Sequence, residues 1–228
     1  MSERKALIVG ASRGIGLGLA EEFAKRGWHV FATQRAPGSE LERAATQSGG
    51  RIDVLIADVT DSESLAALVR GIAPGSLDVV LINAGIMGAA HQSVENATAG
   101  EVAEVMLTNA VGPAHAGKLV LPLLGEGGTL AFTTSRMGSI ADSSGGYELY
   151  RMSKAAQNIL AKGISEQDAK QRGIAVLSLH PGWVQTSMGG SAAPLTVAKS
   201  AHGLADVLES VHGPGHRFLA YDGSAIPW

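Results

Sequence analysis

Short apolar runs alternate with segments of helical spacing along most of the 228 residues. The runs predict seven strands, at Lys5–Val9, His29–Thr33, Ile52–Ala57, Asp78–Ile82, Gly128–Thr134, Ile174–Leu179 and Arg217–Tyr221. Two runs, Val54-Leu55-Ile56-Ala57 and Val79-Val80-Leu81-Ile82, are apolar at consecutive positions, as strands covered on both faces are. Between the runs, Ile15–Arg26 has helical spacing and stops at Gly27, and Asp61–Ile72 opens on the cap-forming Asp61-Ser62-Glu63. Two longer helical stretches, Glu101–Leu124 and Glu148–Arg172, carry alanine, leucine and glycine on more than one face. Alternating strands and helices predict right-handed crossovers and a parallel, doubly wound α/β sheet. Turn residues at Ala36-Pro37-Gly38, Ser48-Gly49-Gly50, Ala73-Pro74-Gly75 and Gly213-Pro214-Gly215 read as short loops, so residues 1–228 form one domain.

Composition narrows the classes. With no cysteine, a disulfide scaffold, an iron–sulfur cluster and a thiolate zinc site are excluded. Eighteen basic residues against 21 acidic ones give a net charge of −3, which supplies no pull toward nucleic acid or an anionic membrane. No apolar run approaches the ~18–20 residues of a membrane span. The start, Met1-Ser2-Glu3-Arg4-Lys5, leads straight into Ala6-Leu7-Ile8-Val9 without the longer apolar stretch of a signal peptide, so the expectation is a cytoplasmic protein. The histidines suggest no metal: His212 and His216 are separated by Gly213-Pro214-Gly215, which forbids a shared helix face. His180, before Pro181, reads as a structural hydrogen-bonding residue.

Two motifs carry chemistry. Gly10-Ala11-Ser12-Arg13-Gly14-Ile15-Gly16 stands between the first strand and the first helix. A pyrophosphate needs exposed backbone N–H groups and the positive end of a helix, and glycines provide both without Cβ obstruction. Gly10 suits the tight turn, Gly14 the close approach and Gly16 the helix–strand contact, although the spacing differs from G-x-G-x-x-G. The second motif is Tyr150-x3-Lys154, which places a phenol and an ammonium on one helix face. A cation there is expected to lower the phenol's pKa from about 10 and ready it for proton transfer.

Taken in order, the glycine loop, Asp58-Val59-Thr60, Asn83-Ala84-Gly85, Asn109, Ser135, Tyr150/Lys154 and His180-Pro181-Gly182 resemble the short-chain dehydrogenase/reductase family over essentially the whole chain. The segments Pro181–Gly190 and Tyr221-Asp222-Gly223 look most like its small carbonyl reductases of the C-factor-like and sniffer-like branch. The resemblance implies a Rossmann sheet of about seven strands. It further implies that Tyr150 is the general acid toward a carbonyl oxygen, that Lys154 lowers its pKa and binds the nicotinamide ribose, and that Asn109 holds a water linking Lys154 to solvent. Ser135 would position the substrate oxygen. Many relatives keep this serine 13 residues before the tyrosine, where this chain has Met137; Ser135 lies 15 before, and Ser139 is the competing candidate. For the cofactor, Asp58 would bind the adenine amino group with Val59 against the ring. Asn83, Ala84 and Gly85 would let it pass close to the sheet, and Pro181, Gly182, Val184 and Thr186 would line the carboxamide end.

The end of the second strand decides between NAD(H) and NADP(H). A carboxylate reads a ribose 2′-OH, whereas a 2′-phosphate needs cations. Here Gln34 replaces the acid, Arg35 follows, and Arg13 lies in the glycine loop, so NADP(H) is expected. Ser187–Val197 (187–197) is left to form a flexible substrate lid, and Met87, Met137, Tyr147, Trp183 and Met188 could wall an apolar substrate site. The expectation is a metal-free oxidoreductase acting on a small carbonyl or alcohol, as a homodimer or homotetramer paired through the two long helices. Its rivals are an acyl-thioester ketoreductase, a diol dehydrogenase, and a nucleotide-sensing or signalling protein on the same fold.

Overall fold

The computed structural model describes residues 3–38 and 40–228. Seven strands form one sheet: β1 (Lys5–Val9), β2 (His29–Gln34), β3 (Ile52–Ile56), β4 (Leu77–Ile82), β5 (Leu124–Thr133), β6 (Ala175–His180) and β7 (Gly215–Ala220). Their spatial order is β3-β2-β1-β4-β5-β6-β7, and every neighbouring pair is parallel. This is the doubly wound Rossmann-like arrangement. After β1 the chain runs outward through β2 to β3 and then returns to place β4 on the other side of β1. Ligands of such sheets bind at that reversal, outside the carboxyl ends of the strands.

Alternation along each strand feeds two apolar layers. Ala6 and Ile8 of β1 face the layer of α1 (Gly14–Lys25) and α7 (Val197–Ser210). Leu7 and Val9 face the layer of α3 (Ser62–Arg70), α5 (Gly112–Val120) and α6 (Glu148–Ile164). Helix α1 can press on α7 because Gly18 has no side chain: a Cβ there would stand 2.5 Å from Val197 Cγ1. As its sequence suggests, Asp61 caps α3, its carboxylate accepting the N–H groups of Glu63 and Ser64. Among the described residues no helix is long and apolar enough to cross a membrane.

Four features differ from the expectation. The run in β3 does not mark a covered strand: β3 is the sheet edge, with Ile56 half exposed. Two helices, α2 (Glu40–Gln47) and α7, were not visible as helical patterns. The stretch Glu101–Leu124 is not one helix but α4 (Ala99–Met106), a π-helical turn at Leu107–Val111, α5 and a 3₁₀ turn, with Leu124 already in β5. Pro113 gives the physical reason for the π turn, since it has no N–H for the carbonyl of Asn109 four residues back. The stretch Glu148–Arg172 likewise widens into a π turn at Ser165–Ala169.

Candidate active site

A cleft of about 530 Å³ opens at the carboxyl ends of β1 and β4. Its floor is the glycine loop. Gly10 sits at φ +91°, and a Cβ on it would lie 2.9 Å from the Ala84 nitrogen. Gly14, at φ +57°, starts α1 and faces Thr186 across the cleft. Gly16 does not line the cleft; a Cβ there would sit 2.2 Å from the Gly10 oxygen and 2.7 Å from Asn83 Nδ2. That packing fixes the loop, because Asn83 Nδ2 donates to the Gly10 carbonyl at 2.8 Å and Thr33 Oγ1 accepts from the Gly10 N–H at 3.0 Å. The first turn of α1 holds no acidic residue, and no side chain caps it at Arg13. Its N–H groups therefore meet the cleft unopposed, a cradle that fits the pyrophosphate of a dinucleotide.

At one end the cleft is lined by Arg13, Gln34, Arg35, Asp58 and Val59. Both arginines are exposed. Burial raises the Asp58 carboxyl, but the N–H and hydroxyl of Thr60 and the charge of Arg35 outweigh it and hold it below the usual value. Gln34 is buried, and its Nε2 donates to Glu42 Oε1 at 2.7 Å. An acid therefore does stand beside Gln34, although it does not itself line the cleft. It comes from α2, a helix that the sequence reading lacked, and the Gly38 N–H also donates to it.

The other end holds the paired motif. Tyr150 and Lys154 project from the first turns of α6, and both line the cleft. Lys154 Nζ donates to the Thr133 carbonyl at 3.0 Å and to Gln157 Oε1 at 3.1 Å. Gly85 is flush against it, since a Cβ there would lie 3.4 Å from Nζ and 3.3 Å from Asn109 Oδ1. The expected lowering of the phenol is not found in the chain alone. Burial pushes Tyr150 up to about 12, with the hydrogen-bonding Ser135 side chain opposing it, and pushes Lys154 down to about 7. Nζ stands 5.8 Å from the phenol ring centroid, and its own desolvation leaves it only partly charged near neutral pH.

Ser135 ends the strand run as expected, beside Tyr150, and its Oγ also accepts the Met137 N–H. Ser139 is turned away, its Oγ accepting the Asp142 N–H, and Ser135 is the serine that meets the phenol. Asn109 lies in the π turn, buried, and both hydrogens of its amide nitrogen are engaged, by the Ile86 carbonyl at 2.8 Å and Ser153 Oγ at 3.0 Å. That nitrogen is not free to hold a water. Gln157 and Ser153 were missed by sequence reasoning, although both lie within one turn of Lys154 on the same helix.

Of the proposed substrate wall only Met188 lines the cleft; Met87, Met137, Tyr147 and Trp183 do not. Tyr147 is more than half exposed at the start of α6, with φ +51°. Pro181 and Thr186 line the cleft, whereas Gly182 and Val184 do not. Gly182, at φ +84°, packs against Leu195 and Tyr221. Hydrogen bonds join the 187–197 segment to the turn before it. Trp183 Nε1 donates to the Gly189 carbonyl at 2.8 Å, the Gly189 N–H donates to Thr186 Oγ1 at 3.0 Å, and Val184 bridges to Leu195. The buried Nδ1 of His180 has no hydrogen-bond partner among the described residues, and burial holds the ring neutral, down to about 4.

Comparison with known proteins agrees with this geometry. Residues 4–194 match the family model described as short chain dehydrogenase. The C-signal protein of Myxococcus xanthus is 38% identical over 171 residues, 72% of this chain and all of that relative. The solved carbonyl reductase of Pseudomonas aeruginosa PAO1 in complex with NADP superposes with a TM-score of 0.92 at 38% identity, covering all of both chains. The carbonyl reductase Sniffer of D. melanogaster does so at 0.89 and 32%, again covering both chains entirely.

Proposed function

The chain belongs to the short-chain dehydrogenase/reductase family and is an oxidoreductase, and from that premise we propose that it interconverts small carbonyl compounds and alcohols with NADP(H). The observation that carries this reading is the side-by-side burial of Tyr150 and Lys154 at the cleft, with Ser135 against the phenol. A nicotinamide bound in the cleft would supply the hydride. The glycine loop and the start of α1 would hold its pyrophosphate, and Arg13 and Arg35 would grip a 2′-phosphate.

The remaining work falls to protons. Tyr150, kept protonated by burial, donates its phenolic proton to the carbonyl oxygen as the alcohol forms, and takes it back in the reverse direction. Ser135 shares that oxygen and fixes its position. Lys154 brings partial positive charge to the phenol when the proton leaves. Asn109 holds the Ile86 backbone through both ends of its amide, so a water linking Lys154 to solvent would be held by a group of Asn109 other than that nitrogen. A panel of aldehydes and ketones, assayed by NADPH oxidation, tests the reading: carbonyl-dependent oxidation supports it, and none across the panel opposes it.

A second reading, a signalling protein on this fold, draws on the match to C-signal over that relative's full length. In it nucleotide binding is the working event and turnover is incidental, so a signalling output that survives in Tyr150→Phe would favour it, and one lost together with turnover would oppose it. We also infer pairing of copies through α4 to α6, which leave Leu107, Val111, Met152 and Ile159 exposed. Light scattering at the mass of one chain would remove that inference.

A further inference from the structure

Gln157 lies one turn beyond Lys154 on α6 and is 1% exposed. Its Oε1 accepts from Lys154 Nζ at 3.1 Å, while its own Nε2 is buried and has no hydrogen-bond partner among the described residues. A buried donor left unpaired works against folding, and a leucine of similar size would remove that penalty. The glutamine therefore brings to this position only one useful group, its acceptor oxygen. That oxygen is aimed at the ammonium.

Among the described residues Nζ makes no ion pair, and nothing else there does this work by charge. From β5 it meets the Thr133 carbonyl, and Gly85, in the segment after β4, stands so close that a Cβ on it would lie 3.4 Å from Nζ. On its own helix the titratable neighbour is the Tyr150 phenol, its ring centroid 5.8 Å away. Each of these is neutral at neutral pH, and desolvation is the cause that displaces the lysine. Two oxygens, from Thr133 and Gln157, thus supply what stabilises a cation in this dry place.

We propose that Gln157 is a positioning residue, whose amide oxygen fixes Lys154 Nζ beside the Thr133 carbonyl and favours its charged form. The inference rests on the role given to Lys154 in the proposed function. Gln157 does not line the cleft; it acts through the lysine.

The test reads the lysine directly. The Nζ resonance of Lys154 in ¹⁵N-lysine-labelled protein, assigned by its loss in Lys154→Met, is titrated in wild type, Gln157→Leu and Gln157→Glu. Gln157→Leu should move the midpoint down by about one pH unit, and Gln157→Glu should move it up by at least as much. The limb of the kcat–pH profile should follow in the same two directions, with KM for NADPH little changed. Thermal stability of Gln157→Leu should not fall, a result that a packing role alone would not give. Midpoints unchanged in both variants, or shifted in the same direction, overturn the proposal. Should Lys154→Met lose turnover while the Gln157 midpoints stay put, this inference alone fails. Should the midpoints move as stated while Lys154→Met turns over like wild type, the hold of Gln157 on the lysine stands and the catalytic reading fails.

Discussion

Asn109 and Ile86 bind each other twice: the Ile86 N–H donates to Asn109 Oδ1 at 2.7 Å, and Asn109 Nδ2 donates to the Ile86 carbonyl at 2.8 Å. A side chain in the π turn thereby acts as a strand neighbour for the segment that leaves β4. The clamp brings Gly85 beside Lys154, where an added Cβ would stand 3.4 Å from Nζ and 3.3 Å from Asn109 Oδ1. Pro113, which leaves the Asn109 carbonyl without its helical N–H donor, stands just after this wide turn.

Asn109→Ala should therefore do two kinds of damage. It removes three hydrogen bonds from a fully buried position, including that to Ser153, and leaves the Ile86 groups unpaired. Urea unfolding should show a loss of roughly 2–4 kcal/mol. Single-turnover assays should show slower chemistry even where the fold persists. Wild-type stability in this variant would mean that the clamp is only a proximity of groups.

Stability should depend on pH through the paired motif, with opposite signs in two windows. Lys154 falls from 10.5 to about 7 on burial. Between those values the unfolded chain holds a proton that the folded chain has released, so this group makes stability rise with pH, and below about 7 its penalty is complete. Tyr150 rises from 10.0 to about 12, so above pH 10 the folded chain keeps a proton that the unfolded chain loses, and stability falls. Lys154→Met should exceed wild type at pH 7 by something on the order of 2–4 kcal/mol, and the gap should close toward pH 10.5. A constant gap in urea midpoints across that range would contradict the assignment.

Much of this was legible in the chain, and the exceptions have physical causes. Lys5–Val9 and the caps at Asp61 and Gly27 follow from local chemistry, and local chemistry is visible in a sequence. Helix α7 was hidden because its opening residues follow a glycine-rich segment that reads as a lid, although Thr196 caps it by accepting the Lys199 N–H. Helix α2 spans only eight residues, too few for a firm period. With it went Glu42, which reaches Gln34 across a turn, and no spacing rule connects the two. The site residues Tyr150, Lys154 and Ser135 were readable from order and spacing. Gln157 and the Asn109 clamp were not, since each depends on where a buried amide points.

Cofactor preference should reflect the mixed charge now seen beside Gln34. Arg13→Ala and Arg35→Ala should each weaken NADPH by about tenfold while leaving NADH nearly unchanged, and added salt should narrow the difference. Gln34→Asp should reverse the preference. Glu42→Gln should tighten NADPH, because it removes a carboxylate bonded to the residue at that position. Fluorescence titration with the two nucleotides decides it; equal affinity for both in wild type would send the arginines into solvent.

The central claim is that the Tyr150 phenol delivers the proton, and Tyr150→Phe tests it most directly. The ring and its burial are kept while the transferable proton is removed, so the fold and NADPH binding should persist. Carbonyl-dependent oxidation of NADPH, followed at 340 nm beside a parallel nucleotide titration, should fall by ~100-fold or more with little change in NADPH affinity. Turnover in Tyr150→Phe equal to that of wild type would contradict the account.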